Sequence, residues 1–280
     1  MSSRGATPTT EGAGPPLALV DAFAERPFAG NPAGVCLLDG PAEAGWMQAL
    51  AAELGQSETA FTHPSGDGRR ALRWFTPAAE VELCGHATLA AAHALWETGG
   101  APEDEPIVFD TLSGPLTARR AGSLVEMDFP ATPAGAVEAP PALAAALGAP
   151  PRAVARSRFD YLAELATPAA VAELVPDMAA VARLPARGLV VTAAGGAAGA
   201  DFTSRFFAPQ TGIDEDPVTG SAHCALGPYW AARLGRDELV GHQASARGGL
   251  VRVAVRGERI RLAGAAVTTV SGRARIAPPA

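Results

Sequence analysis

The sequence predicts an α+β protein of two pseudo-symmetric halves, each a curled mixed β-sheet or barrel around a central helix, with a cleft between them. Three observations carry this. Arg73-Trp74-Phe75-Thr76-Pro77 recurs 132 positions later as Arg205-Phe206-Phe207-Ala208-Pro209, a period too long for a solenoid unit and suited to two similar halves. Each copy runs through an acidic patch into a glycine-led, small-residue segment where a helix can start: Glu80-Val81-Glu82-Leu83-Cys84-Gly85-His86-Ala87 and Asp214-Glu215-Asp216-Pro217-Val218-Thr219-Gly220-Ser221-Ala222. Each half also holds many short strand-like runs and one enclosed helix, which suggests a curled sheet rather than a βαβ array.

Taken in order, 17–23 alternates and reads as a strand, followed by the turn-rich 25–32 and a second strand at 33–38. Residues 42–54 have helical spacing and stop at Gly55. Strands are expected at 58–62 and 71–75 around the polar turn 64–68. The run 86–98 is nearly apolar all round, so it must be an enclosed helix ended by Gly99-Gly100. Strand-like runs follow at 107–109, 116–119 and 124–129. After the Pro/Ala-rich 130–141, helices are expected at 142–147 and 168–173, with extended runs at 159–165, 188–192 and 200–207. The helix from Ser221 ends near Gly235, and Gly227-Pro228 should kink it or strip one hydrogen bond. Strands at 250–255, 259–262 and 266–271 close the chain. Residues 1–16, rich in Ser, Thr, Gly and Pro, read as a disordered tail rather than a signal peptide. The halves are then 17–130 and 131–265, and a last strand near 266–275 is a candidate to return to the first.

Composition narrows the function. The 280 residues are 48% hydrophobic and 18% charged, ordinary for a soluble globular protein. A net charge of -7 argues against general nucleic-acid binding. No apolar run is long enough to span a bilayer. Cys36, Cys84 and Cys224 are scattered, without a CxxC, which suits a reducing cytoplasm and neither a disulfide framework nor a zinc knuckle. The five histidines form no HxH or HExxH arrangement, so no metal is expected, and His86 and His93 read as one polar site residue and one core histidine. Gly195-Gly196-Ala197-Ala198-Gly199 imitates a dinucleotide loop, but the alternating 201–207 follows where a helix is required, so a hairpin turn is expected.

The helix starts are the stronger candidates. Gly85-His86-Ala87-Thr88 and Gly220-Ser221-Ala222-His223 put small residues where backbone N–H groups lack partners, a setting that attracts a carboxylate or phosphate or is simply a pair of N-caps. Glu58, in Ser57-Glu58-Thr59-Ala60-Phe61, is either a solvated strand glutamate or a carboxylate beside apolar surface. In the second case its raised pKa suits proton transfer near neutrality.

With these residues the chain resembles the phenazine-biosynthesis PhzF family, whose two halves share the diaminopimelate epimerase-like fold. The matching segments are Val20-Asp21-Ala22-Phe23, Gly30-Asn31-Pro32-Ala33-Gly34-Val35, Ser57-Glu58-Thr59-Ala60-Phe61 and the two repeat copies through Thr88 and His223. The resemblance implies a cofactor-free isomerase acting on a small carboxylic acid, and a homodimer. It implies Glu58 as the group that moves a proton within the substrate, with His86 and Asp216 flanking the reacting carbon. Gly85 and Ala87 at one helix end, with Gly220 and Ser221 at the other, would bind the substrate carboxylate. Segment 243–249 departs from the Gln-Gly turn leading to Gly-Arg that the family often has. Two rival readings remain: a two-thiol racemase or epimerase using Cys84, the chemistry of the wider fold, and a non-catalytic binder of small acids.

Overall fold

The computed structural model describes residues 14–279, so most of the expected tail, 1–13, lies outside the described residues. Pro16, the last residue of that expected tail, already opens the first strand and pairs with Arg273.

The strands form one ladder in two matching parts. In spatial order, the first part runs Ala266–Arg273, Pro16–Ala22, Asn31–Leu37, Glu58–Gly66, Arg69–Phe75, Ile107–Thr111, Gly114–Ala121 and Leu124–Pro130. Its neighbours are antiparallel except at two places, Asn31–Leu37 beside Glu58–Gly66 and Arg69–Phe75 beside Ile107–Thr111. The second part repeats this with Gly135–Ala136, Ala153–Arg156, Asp160–Glu164, Gly188–Ala194, Phe202–Ala208, Glu238–Gln243, Gly249–Arg256 and Arg259–Gly264. Its parallel pairs fall at the corresponding places, Asp160–Glu164 with Gly188–Ala194 and Phe202–Ala208 with Glu238–Gln243. Parallel neighbours need a crossover, and helices supply it. Gly85–Glu97 and Gly220–Leu234 bridge the inner pairs and lie inside the curl, each with most of its residues buried.

The halves are stitched by symmetric exchanges. Leu124–Pro130 pairs antiparallel with Arg259–Gly264. Beyond that seam each chain segment passes to the other half: Gly135–Ala136 onto Ala153–Arg156, and Ala266–Arg273 onto Pro16–Ala22. One hydrophobic cluster accordingly runs through both halves, from Val20 and Phe109 to Phe202 and Leu262. Smaller clusters lie under the outer helices Ala44–Leu54 and Pro141–Leu147.

The repeated arginines are part of the scaffold. Arg73 forks onto Glu80 with both bonds at 2.7 Å, and Arg205 forks onto Glu215 at 2.7 and 2.9 Å. Each guanidinium also lies over the phenylalanine two residues on, Phe75 at 5.2 Å and Phe207 at 4.8 Å. The acidic patches are therefore short strands, Glu80–Val81 and Ile213–Asp216, pinned back on the repeat. Each then leads the chain to the start of a central helix.

Two local expectations resolve on physical grounds. Gly195–Gly199 is the turn between antiparallel strands Gly188–Ala194 and Phe202–Ala208. Pro228 does not end its helix, which is continuous from Gly220 to Leu234. The carbonyl it leaves without an N–H is that of Cys224, and this accepts the backbone N–H of Thr132 at 3.1 Å as the chain crosses between halves.

Candidate active site

The two central helices meet at their N-termini. A Cβ added to either Gly85 or Gly220 would lie 3.7 Å from the other's Cα. The equivalent cap residues are Cys84 and Thr219, and neither spends its side chain on capping. Two positive helix ends thus face one point, a setting that favours an anion.

Glu58, His86 and Asp216 come together there from three elements. Glu58 opens its strand, His86 is the second residue of the first central helix, and Asp216 ends the pinned strand before the second. His86 Nε2 is 3.3 Å from Glu58 Oε2 and 3.2 Å from Ser57 Oγ. Asp216 is reached through Asn31, whose amide nitrogen donates to Asp216 Oδ1 at 2.8 Å and Val218 O at 2.9 Å. The same nitrogen is 3.2 Å from His86 Nδ1, and Ser57 Oγ donates to Asn31 Oδ1 at 3.3 Å. Thr219 Oγ1 donates to Asp216 Oδ2 at 2.5 Å. Gln243 then ties the helix start to this acid, donating to Asp216 O at 2.8 Å and accepting from Thr219 N at 2.9 Å.

Burial controls the titration here. It raises the Glu58 pKa, against hydrogen bonds from Ser57 and Cys84 that pull it down. Burial likewise raises Asp216, with His86 and Thr219 opposing. It lowers His86, against the charge of Asp216. Together these favour a neutral imidazole between two carboxyl groups held above their ordinary range.

The other sequence candidates are placed as follows. Ala87 is fully buried in the first helical turn, and Ser221 is half-buried at the start of the second helix. Cys84 Sγ is 3.5 Å from His86 Nδ1, its thiol pushed far up by burial and by the charge of Glu58. Glu58, Cys84 and His86 offer donor atoms within 4.8 Å of one another. Cys84 stands nearest Nδ1 of the ring and Glu58 nearest Nε2. Cys224 lies away from the cleft among Arg187, Arg259 and Asp128, and burial pushes it up to about 12. His223 is a core histidine whose ring lies tilted against Phe202 at 5.8 Å and whose Nδ1 is 2.8 Å from Thr219 O.

The site is one-sided. Ala33 pairs with Glu58 in the first half where Asp160 pairs with Gly188 in the second. The counterpart of Glu58 is therefore Gly188, and a Cβ there would come within 2.7 Å of the Phe206 ring. Beside it Arg187 forks onto buried Asp160 at 2.9 and 2.6 Å. Ring and ion pair fill the space that the catalytic candidate occupies in the first half.

The sequence names Thr219 only as a candidate helix cap and gives Asn31, Ser57, Gln243 and Arg247 no role of their own in the site. Asn31 and Ser57 flank recognised motif glycines and glutamate, and a fully buried asparagine is the signal that marks a hub. The departing loop 243–249 proves to be a clasp. Arg247 donates to Asp21 Oδ1 at 2.7 Å, Gly30 O at 2.8 Å and Ala29 O at 3.0 Å, and Gly30 N donates to Gly248 O at 2.7 Å. Gly30 needs its φ of +63°, since an added Cβ would sit 2.1 Å from Ala22 O. Arg247→Ala is expected to cost about 2 kcal/mol, less than a fully buried pair because the guanidinium is partly solvated. A lower urea midpoint at unchanged slope checks it, with no recovery in Arg247→Lys, which lacks the fork.

Comparison with known proteins agrees with this architecture. The family model described as phenazine biosynthesis-like protein matches residues 20–272. The chain belongs to the phenazine biosynthesis-like (PhzF) family. Among PhzF relatives, an uncharacterized isomerase of Pseudomonas aeruginosa is 50% identical, over 92% of this chain and 97% of its own. An uncharacterized isomerase of Halalkalibacterium halodurans is 46% identical, over 91% and 96%. The crystal structure of a PhzF family protein from Enterococcus faecalis superposes with a TM-score of 0.89 at 39% identity, covering 94% of this chain and 99% of that one. The fold is thus the α+β, diaminopimelate epimerase-like fold of the PhzF family. No helix of the described residues is long and apolar enough to cross a membrane.

Proposed function

We propose that the protein is a cofactor-independent isomerase that moves a proton within a small carboxylate-bearing substrate, with Glu58 as acid and base. The observation that carries this is a half-buried carboxylate of raised pKa beside His86, at the point where two helix N-termini meet. The names of relatives at 46% and 50% identity support the reaction class.

In this reading the substrate carboxylate lies against the helix starts, at Gly85 and Ala87 on one side and Gly220 and Ser221 on the other. Ionised Glu58 removes a proton from a C–H bond beside unsaturation. The developing negative charge spreads toward the helix ends and the Nε2–H of His86, while Asp216 flanks the opposite face. Glu58 then returns the proton at another carbon, so no proton is gained or lost overall. A two-thiol mechanism is less well served: Thr219 holds the position equivalent to Cys84, and Cys224 lies elsewhere in the core.

The test is solvent exchange. Small unsaturated amino and hydroxy carboxylic acids are incubated with the protein in D2O and followed by proton NMR. At least one acid is expected to take up deuterium at carbon. Exchange lost in Cys84→Ser but kept in Glu58→Gln would replace the glutamate mechanism with a thiol one. Binding of an acid without exchange would make the protein a binder.

A further inference from the structure

We infer that Asn31 is a positioning residue that holds His86 as the neutral imidazole with its proton on Nε2, so that His86 donates to Glu58 and does not itself exchange protons with substrate. The last step rests on the reading of Glu58 as proton carrier; the tautomer does not.

The orientation of the Asn31 amide comes first. Its nitrogen faces Asp216 Oδ1 at 2.8 Å and Val218 O at 2.9 Å, both acceptors. Turned over, the amide oxygen would oppose a carboxylate and a carbonyl in a site with no exposure, which costs the bonds and adds repulsion. Ser57 Oγ, which can donate, lies on the oxygen side at 3.3 Å. The amide nitrogen therefore points its protons toward the second half, and it also lies 3.2 Å from His86 Nδ1.

An amide nitrogen has no lone pair to accept a proton. A hydrogen on Nδ1 would thus face a donor. The second neighbour of Nδ1, Cys84 Sγ at 3.5 Å, is a thiol kept protonated by burial and by Glu58, and with its proton drawn to Glu58 it offers Nδ1–H only a weak sulfur acceptor, poorer than the carboxylate at Nε2. Nδ1 stays bare, and the imidazole proton sits on Nε2, which faces two acceptors, Glu58 Oε2 at 3.3 Å and Ser57 Oγ at 3.2 Å. The charged groups around the ring are Glu58 and Asp216. Asp216 favours the imidazolium, but burial outweighs it. A neutral Nε2–H imidazole that cannot gain a proton at Nδ1 could give one up only by becoming imidazolate. It remains a hydrogen-bond donor. Because two of the bonds that orient Asn31 come from the second half, the tautomer also depends on the halves being together.

Ring nitrogen NMR of the intact protein with labelled histidine reads this directly, His86 being assigned by its absence in His86→Asn. At neutral pH the expected wild-type pattern is bare Nδ1 and protonated Nε2. Asn31→Asp puts an acceptor and a charge at the same place, and should protonate Nδ1 and raise the ring titration by about one pH unit or more. Bare Nε2 in the wild type, or an unchanged titration in a folded Asn31→Asp, would overturn the inference. Should that variant not fold, the wild-type pattern alone decides. A bare Nδ1 together with an active Glu58→Gln would leave the tautomer standing and remove only the role of Glu58.

Discussion

Glu58→Gln is expected to lower the rate of proton exchange by about 10³-fold, the usual worth of a positioned general base, while the protein stays folded. Glutamine keeps the volume and one acceptor for His86 but cannot take a proton. The discriminating measurement is deuterium uptake beside thermal unfolding of the same preparation. The stability change should be zero or favourable, and the sign follows from the raised carboxyl of Glu58. A carboxyl whose folded pKa lies above its unfolded value binds its proton more tightly when folded. Its ionisation therefore costs stability once the pH passes the unfolded value, and costs nothing below it. Removing the charge removes that cost. A variant that is inactive because it unfolds would not support the assignment, and one with full exchange would refute it.

The same shift sets the acid limb of activity. Exchange needs ionised Glu58, so the rate should fall as pH drops through the raised folded value, above the ordinary glutamate range. Asp216 is raised as well, by burial first, with Glu58's charge adding to it. The two carboxyls then titrate as a coupled pair, and the limb belongs to both. Asp216→Asn, by removing a negative neighbour of Glu58, should move the limb to lower pH.

How far these features can be read from the sequence depends on the range of the interaction. The central helices were legible because their signals are local: an apolar run, a glycine start and, for the second, Gly235 in the left-handed region at φ 67°. Glu58 was legible through alternation on its own strand. Asn31 was not, because its partner Asp216 lies 185 positions away and its neighbour Val218 187 away. Arg247 reaches 226 positions back to Asp21. Nothing in the spacing around Ser245-Ala246-Arg247 distinguishes a clasp from a solvated turn. The masking of Gly188 by Phe206 was equally hidden, since it depends on which strands lie side by side. Local pattern thus identifies elements and single polar candidates, and the pairing of halves decides which of them meet.

Arg205→Ala should be the most destabilising of the surface-reaching charge deletions, costing about 3 kcal/mol, whereas Arg73→Ala should cost under about 1 kcal/mol. The two residues occupy the same place in the repeat and make the same fork, so the difference measures their surroundings. Among the described residues Arg73 hydrogen-bonds only Glu80, and its side chain is 34% exposed. Arg205 is 12% exposed and, beyond Glu215, donates to the carbonyls of Val171, Ala172 and Leu174 at 3.3, 3.2 and 2.6 Å. Those carbonyls end the short helix Pro168–Ala172 and the loop after it. Removing the guanidinium leaves Glu215 without its partner and three acceptors short of a donor, in a region where no long helix compensates. For a chain of this size the loss corresponds to roughly 6–12 °C in Tm. Equal effects of the two substitutions would show that the carbonyl contacts add nothing to the fork. A larger effect for Arg205, restored by Glu215→Gln to no useful degree, would place the weight on those carbonyls rather than on the ion pair. The repeated arginine would then hold the approach to one central helix by charge alone and to the other by charge together with a helix C-terminus.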